Sequence, residues 1–177
     1  RKGPLRILVF GGSLGSKAFN QVLPSMFKKI NGKNKLSIIH QSGEKMFELL
    51  KESYEGADFK VETRKYIFDM EKKYNWADIV IARSGALTVS ELIASGSPSI
   101  LIPYPFAVDD HQFFNAKILK DAGAAEIVRE KDLEEKLVLN LVKLDRKKCE
   151  NMALKAKELH SYDACAEVLK VCNTLLK

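Results

Sequence analysis

With 177 residues, 46% of them hydrophobic and 29% charged, the chain has the size and composition of one globular domain that buries a core without disulfides or a structural metal. No apolar run approaches the roughly 20 residues of a membrane span, and no signal pattern opens the chain, whose start, Arg1-Lys2-Gly3-Pro4, reads as the remnant of an interdomain linker. The formal net charge of +6 admits a polyanion, but the lysines are interleaved with glutamates without a basic block or aromatic platform, so no nucleic-acid partner is expected.

Short runs rich in Val, Ile and Leu alternate with longer stretches of helical period, the signature of βαβ units on a parallel sheet. Leu5–Phe10 reads as the first strand. A helix is expected over Ser16–Ile30, with Phe19, Val22, Leu23, Met26, Phe27 and Ile30 on one face and Pro24 bending or interrupting it. A strand at Leu36–Gln41, a helix at Lys45–Ser53, strands at Phe59–Thr63 and Asp78–Ala82 and a helix at Leu87–Ser95 come next. The pattern continues with a strand at Ser99–Pro103, a helix at Gln112–Asp121 and a sixth strand at Ala125–Val128. Asp132 can cap a helix to Leu144, and two more are expected at Arg146–Leu159 and Asp163–Leu176. The three cysteines, Cys149, Cys165 and Cys172, lie in this C-terminal stretch without metal-ligand spacing, which points to reduced thiols in cytoplasm.

Continuous apolar strands such as Ile7-Leu8-Val9-Phe10 and Ile79-Val80-Ile81 require burial on both faces. The expected fold class is therefore α/β, a doubly wound, Rossmann-like parallel sheet of six strands with additional C-terminal helices. Ligands of such sheets sit outside the carboxyl ends of the strands, which makes every loop after a strand a candidate.

Three such loops carry polar chemistry. Gly11-Gly12-Ser13-Leu14-Gly15 joins the first strand to the first helix, where backbone N–H groups, the helix N-terminus and the Ser13 hydroxyl suit a phosphate. A tight turn without a ligand is the alternative. The loop lacks the dinucleotide fingerprint, since the second strand ends His40-Gln41 rather than in a carboxylate, and it lacks the Gly-Lys-Ser/Thr of a P-loop.

The second loop, Arg83-Ser84-Gly85-Ala86-Leu87-Thr88-Val89-Ser90-Glu91, again puts small residues at a helix mouth, and the Glu91 carboxylate can accept from both hydroxyls of a ribose. Thr88-Val89-Ser90-Glu91 is equally a capping box. In the third loop, Asp109 or Asp110 can cap the next helix and leave His111 and Gln112 in its first turn, where imidazole and amide suit sugar hydroxyls. An incidental surface histidine is the competing reading.

Taken together and in this order, these loops, with His40-Gln41-Ser42-Gly43 and His111-Gln112 followed by Asn115-Ala116, resemble the C-terminal donor domain of the family 28 glycosyltransferases that add N-acetylglucosamine to lipid I. The resemblance covers nearly the whole chain, and Arg83–Glu91 is its specific part. It implies one half of a two-domain, inverting GT-B enzyme, with residues 1–177 as the UDP-sugar domain, no cofactor and no nucleotide-bound metal in the fold itself. UDP-N-acetylglucosamine would be the ligand. Lipid I and most of the membrane contact would belong to an N-terminal half, on the cytoplasmic face of the bacterial plasma membrane.

Carried over by motif, Ser13 in the loop of Gly12 and Gly15 would contact the diphosphate, and Glu91 the ribose. His111 and Gln112 would contact the sugar, and the backbone of Ile67, within Tyr66–Met70, the uracil. Ser84, Gly85, Ala86, Leu87 and Thr88 would lie along the ligand at the helix mouth. The acceptor motif of the N-terminal half is absent from this sequence, so no residue is assigned as catalytic base. Two other readings share the fold: the donor-binding subunit of a two-chain glycosyltransferase, and half of a UDP-sugar epimerase.

Overall fold

A computed structural model describes residues 2–30, 36–159, 169 and 171–174. Strands β1 (Leu5–Phe10), β2 (Leu36–Gln41), β3 (Lys60–Arg64), β4 (Ile79–Ala82), β5 (Ser99–Leu101) and β6 (Ala125–Ile127) form one sheet, ordered β3-β2-β1-β4-β5-β6. All pairs are parallel. The helices are α1 (Lys17–Ile30), α2 (Phe47–Ser53), α3 (Met70–Trp76), α4 (Ala86–Ser95), α5 (His111–Asp121), α6 (Leu133–Val142) and α7 (Arg146–Leu159).

Alternation along β1 explains the double winding, because successive side chains leave opposite faces of a strand. Leu5, Ile7 and Val9 join a cluster with Phe19, Leu23 and Phe27 of α1 and Leu133, Leu137 and Leu141 of α6. Leu8 and Phe10 turn the other way, onto Tyr74 of α3, Val89 and Leu92 of α4 and Leu119 of α5. Both faces are thus dry. Each fully buried Phe or Leu contributes about 1.5–3 kcal/mol of transfer free energy, and Leu23→Ala would cost about 2–5 kcal/mol once the cavity is included.

Several boundaries moved, and the causes are local. Pro24 does not interrupt α1, which runs unbroken from Lys17 to Ile30. Its neighbours Phe19, Leu23, Met26 and Phe27 are wholly buried, and that burial outweighs the one helical hydrogen bond a proline removes. The helix expected from Lys45 opens as a 3-10 turn at Glu44–Met46 before α2. Asp132 does not cap α6 with its side chain; its Oδ2 accepts from Lys136 Nζ at 2.7 Å instead. Helix α3 was not anticipated, being seven residues long with only Tyr74 buried. The helix expected at Asp163–Leu176 lies outside the described residues except for 169 and 171–174, which are helical, and Cys165 lies outside them altogether.

The register sets up the site. Phe10 pairs with Gln41 on one side and Ala82 on the other, and Gln41 with Arg64. The chain therefore leaves β1, β2, β3 and β4 at one level, and the strand order reverses between β1 and β4, where a doubly wound sheet opens its ligand crevice. Among the described residues no helix is long and apolar enough to cross a membrane.

Candidate functional site

An open crevice of about 760 Å³ lies at that reversal, lined by Gly11–Lys17, Arg83, Gly85, Thr88, Tyr104, Phe106, Gln112 and Glu130. A cavity of about 250 Å³ at the other end of the sheet, around Asp78, Ser97 and Arg146, is a third as large and adjoins the amino ends of β4 and β5. The larger one has the glycine loops and two helix N-termini.

The loop after β1 is shaped by glycine for reasons of both dihedral and space. Gly12 and Gly15 have φ of 91° and 76°, where a side chain is strained. A Cβ on Gly15 would overlap the Ser42 carbonyl, and one on Gly43 the Leu14 carbonyl. The loops after β1 and β2 therefore touch backbone to backbone. Ser16 is the N-cap of α1, its Oγ accepting from Phe19 N–H at 3.4 Å, while Ser13 is exposed and lines the crevice.

Gly85, ahead of α4, is different. Its φ of −60° and ψ of 153° suit any residue, and an added Cβ meets nothing within 4 Å. Neither backbone nor packing requires glycine there; close approach of a ligand to the amides of α4 would.

The neighbouring expectations divide. Thr88 lines the crevice, whereas Ala86 and Leu87 are exposed at its mouth. Ser84 is wholly buried and does not line it; its carbonyl accepts from Asn115 Nδ2 at 3.2 Å, which ties α5 to this loop.

Glu91 is not part of a capping box, because α4 starts at Ala86 with Gly85 as N-cap and Thr88 already inside the helix. Its Oε2 accepts the Tyr74 hydroxyl proton at 2.8 Å. Burial, reinforced by this bond, pushes the Tyr74 phenol well above its ordinary pKa.

Ile67 is buried, and its N–H donates to Gln41 Oε1 at 3.0 Å. The amide expected to meet a base edge is thus already engaged within the protein. Gln41 also donates from Nε2 to the Gly12 carbonyl at 2.8 Å, so one side chain ties the phosphate-type loop to the Tyr66–Met70 segment.

The turn before α5 is strained. Asp109 and Asp110 both have positive φ, 48° and 52°, a region costly for non-glycine residues. Asp110 is the N-cap of α5 but makes no side-chain cap. Its carboxylate instead binds the Arg129 guanidinium through two bonds of 2.8 and 2.7 Å, which hold its pKa below the usual carboxylate value. Gln112 Oε1 accepts from Tyr104 N–H at 2.9 Å, leaving its NH2 for the crevice it lines. His111 is exposed outside that lining, with Nδ1 2.8 Å from the Val108 carbonyl.

Arg83 received no role from the sequence beyond its place in the motif, yet it joins more loops than any residue named above. Its guanidinium donates to the Ile102 and Pro103 carbonyls at 3.2 and 3.1 Å and to Ser16 Oγ at 3.0 Å, and it pairs with Glu130. Faces of Phe19 and Tyr104 lie 4.7 and 5.5 Å from it. Gln41, Tyr74 and Glu130 were likewise given no role. A polar residue closing an apolar strand beside a glycine loop was the available signal for Gln41; for Tyr74 and Glu130 there was none, since their partners are 17 and 47 residues away.

The arrangement presents two helix N-termini and the exposed Ser13 to one crevice, which is chemistry for an anion, while the Arg83 guanidinium at its wall is already paired with Glu130. Among known proteins, residues 6–168 match the glycosyltransferase family 28 C-terminal domain. The chain belongs to that family.

Among family 28 relatives, the UDP-N-acetylglucosamine--N-acetylmuramyl-(pentapeptide) pyrophosphoryl-undecaprenol N-acetylglucosamine transferase of Thiobacillus denitrificans is 41% identical over 178 residues, covering 100% of this chain and 49% of that protein. The transferase of the same name from Shewanella halifaxensis is 43% identical over 173 residues, covering 95% and 47%. The crystal structure of MurG from Acinetobacter baumannii matches with a TM-score of 0.83 at 38% identity, covering 89% of this chain and 46% of that one. The chain spans about half the length of the curated relatives it matches, and its six-stranded sheet is the architecture of one GT-B half.

Proposed function

We propose that this domain binds UDP-N-acetylglucosamine as the donor half of an inverting transferase that moves N-acetylglucosamine onto lipid I, giving lipid II for peptidoglycan. The observation that carries the reading is Gly85, a glycine that neither dihedral nor packing explains, at a helix mouth facing the glycine loop across the crevice. The diphosphate would lie between the N-termini of α1 and α4, against Ser13. Helix dipoles and backbone donors stabilise the charge of a departing diphosphate without a metal.

In this reading the ribose hydroxyls bind Glu91, the uracil pairs with the Ile67 carbonyl, and the sugar meets Gln112, with His111 at the rim. The names of the relatives favour a transferase over an epimerase. The half-length coverage favours a second domain on the same polypeptide over a separate subunit. Strongly exposed Leu14, Phe68, Leu87, Phe106 and Val108 ring the carboxyl edge of the sheet, as suits a cleft that another domain closes. That domain would hold lipid I, supply the base and make most of the contact with the cytoplasmic face of the bacterial plasma membrane.

Calorimetry with UDP-N-acetylglucosamine, UDP, GDP and ADP tests the donor site; preference for the uridine ligands is expected, and equal binding of UDP and GDP would refute it. Incubating the 177-residue chain with donor and a soluble lipid I analogue tests the division of labour. Binding without turnover is expected, because donor and acceptor must be held together for transfer, and turnover at ordinary enzyme rates would place base and acceptor site within these residues.

A further inference from the structure

We infer that Tyr74 is a positioning residue for ribose recognition, acting through Glu91; this rests on the reading of Glu91 given above. Tyr74 sits on α3, outside the loops that line the crevice, and its ring is buried edge-on against Phe10 at the end of β1, centroids 6.1 Å apart at 75°. The residue also lines the smaller cavity at the amino ends of β4 and β5, and its hydroxyl donates to Glu91 Oε2 at 2.8 Å. No other described side chain bonds Glu91, which is half-buried about one turn beyond Thr88 and is not itself among the residues lining the crevice.

The chemistry follows from what each group can do. A glutamate on a helix has three side-chain torsions, and a carboxylate that must accept from two adjacent hydroxyls needs its plane fixed before they arrive. A phenol held protonated by burial only donates to a carboxylate, so the bond has one polarity, and it is charge-assisted. The ring cannot swing away, because Phe10 and the α3–α4 packing hold it. Tyr74 thus orients the carboxylate while touching no ligand.

The test measures UDP and 2′-deoxy-UDP affinities for the wild-type chain, Tyr74→Phe and Glu91→Gln, with a melting curve for each. Tyr74→Phe keeps the ring and removes the donor; UDP affinity is expected to fall roughly threefold to tenfold and 2′-deoxy-UDP affinity less, shrinking the ribose preference. Parallel losses for both nucleotides, or a lower melting temperature with the preference intact, would overturn the inference by making the bond structural only. Glu91→Gln reports separately on the underlying reading: if it leaves the preference unchanged, Glu91 does not bind ribose. Should Tyr74→Phe not fold, a crystal structure of the wild-type UDP complex decides the matter. A Glu91 carboxylate bridging Tyr74 and ribose supports the inference, and one turned away from Tyr74 overturns it.

Discussion

Gln41 accepts the amide proton of Ile67 at 3.0 Å while donating to the Gly12 carbonyl at 2.8 Å, so residues of two loops, 26 and 29 positions away in the chain, share one side chain. Gln41→Leu keeps the volume but leaves the buried Ile67 N–H unpaired, while the Gly12 carbonyl keeps its bond from Gly15 N–H at 3.0 Å. A loss of about 1–3 kcal/mol of stability is expected from that one group, with weaker UDP binding as the loops separate. Denaturant unfolding and calorimetry check both, and unchanged values in both would show that the bridge carries nothing.

Gly15 and Gly85 make opposite forecasts for the same substitution. Gly15→Ala meets the Ser42 carbonyl at positive φ and should cost on the order of 2–4 kcal/mol of stability, the scale of a backbone clash and strain, with a marked fall in melting temperature. Gly85→Ala should change stability by less than about 0.5 kcal/mol and yet weaken UDP-N-acetylglucosamine binding at least roughly tenfold, since the methyl enters space the ligand needs. Unimpaired binding by Gly85→Ala would remove the main support for the donor site.

Sugar selection separates Gln112 from His111. Gln112 lines the crevice with its NH2 unengaged, whereas His111 is exposed beside it. Gln112→Ala should erode the preference for UDP-N-acetylglucosamine over UDP while sparing UDP itself, and His111→Ala should do so less. Competition titrations with the two ligands give the ratio; a larger effect at His111 would mean the loop rearranges around the sugar.

Acid sensitivity should have a component at His40. Burial lowers its pKa from 6.5 to about 3, with Nδ1 2.9 Å from the Tyr54 hydroxyl. The native state holds it neutral while the unfolded chain protonates it below about 6.5. Its contribution to stability is thus complete above pH 6.5 and declines as pH falls towards 3, by up to about 1.4 kcal/mol per pH unit. Unfolding free energies measured between pH 7 and 4.5 should show this slope, and His40→Gln should flatten it. An equal slope in the variant would assign the acid sensitivity elsewhere.

Periodicity alone determined the strand order along the chain and the doubly wound class, because Ile7–Phe10 and Ile79–Ile81 are apolar at every position and can be buried only between two helical layers. The glycine loop and the Arg83–Glu91 run were equally legible, since residues that must meet an anion at a helix mouth are consecutive in the chain. Tertiary structure decided what depends on distant partners. Whether Glu91 capped its own helix or faced α3, whether Asp110 capped α5 or bound Arg129, and whether the Ile67 amide was free or engaged by Gln41 all turned on groups 17 to 26 residues apart. Local sequence offers such side chains a nearby hydrogen bond as readily as a remote one. The choice falls to whichever partner the packed sheet brings within 3 Å, because a buried polar group is stabilised by the partner it actually reaches.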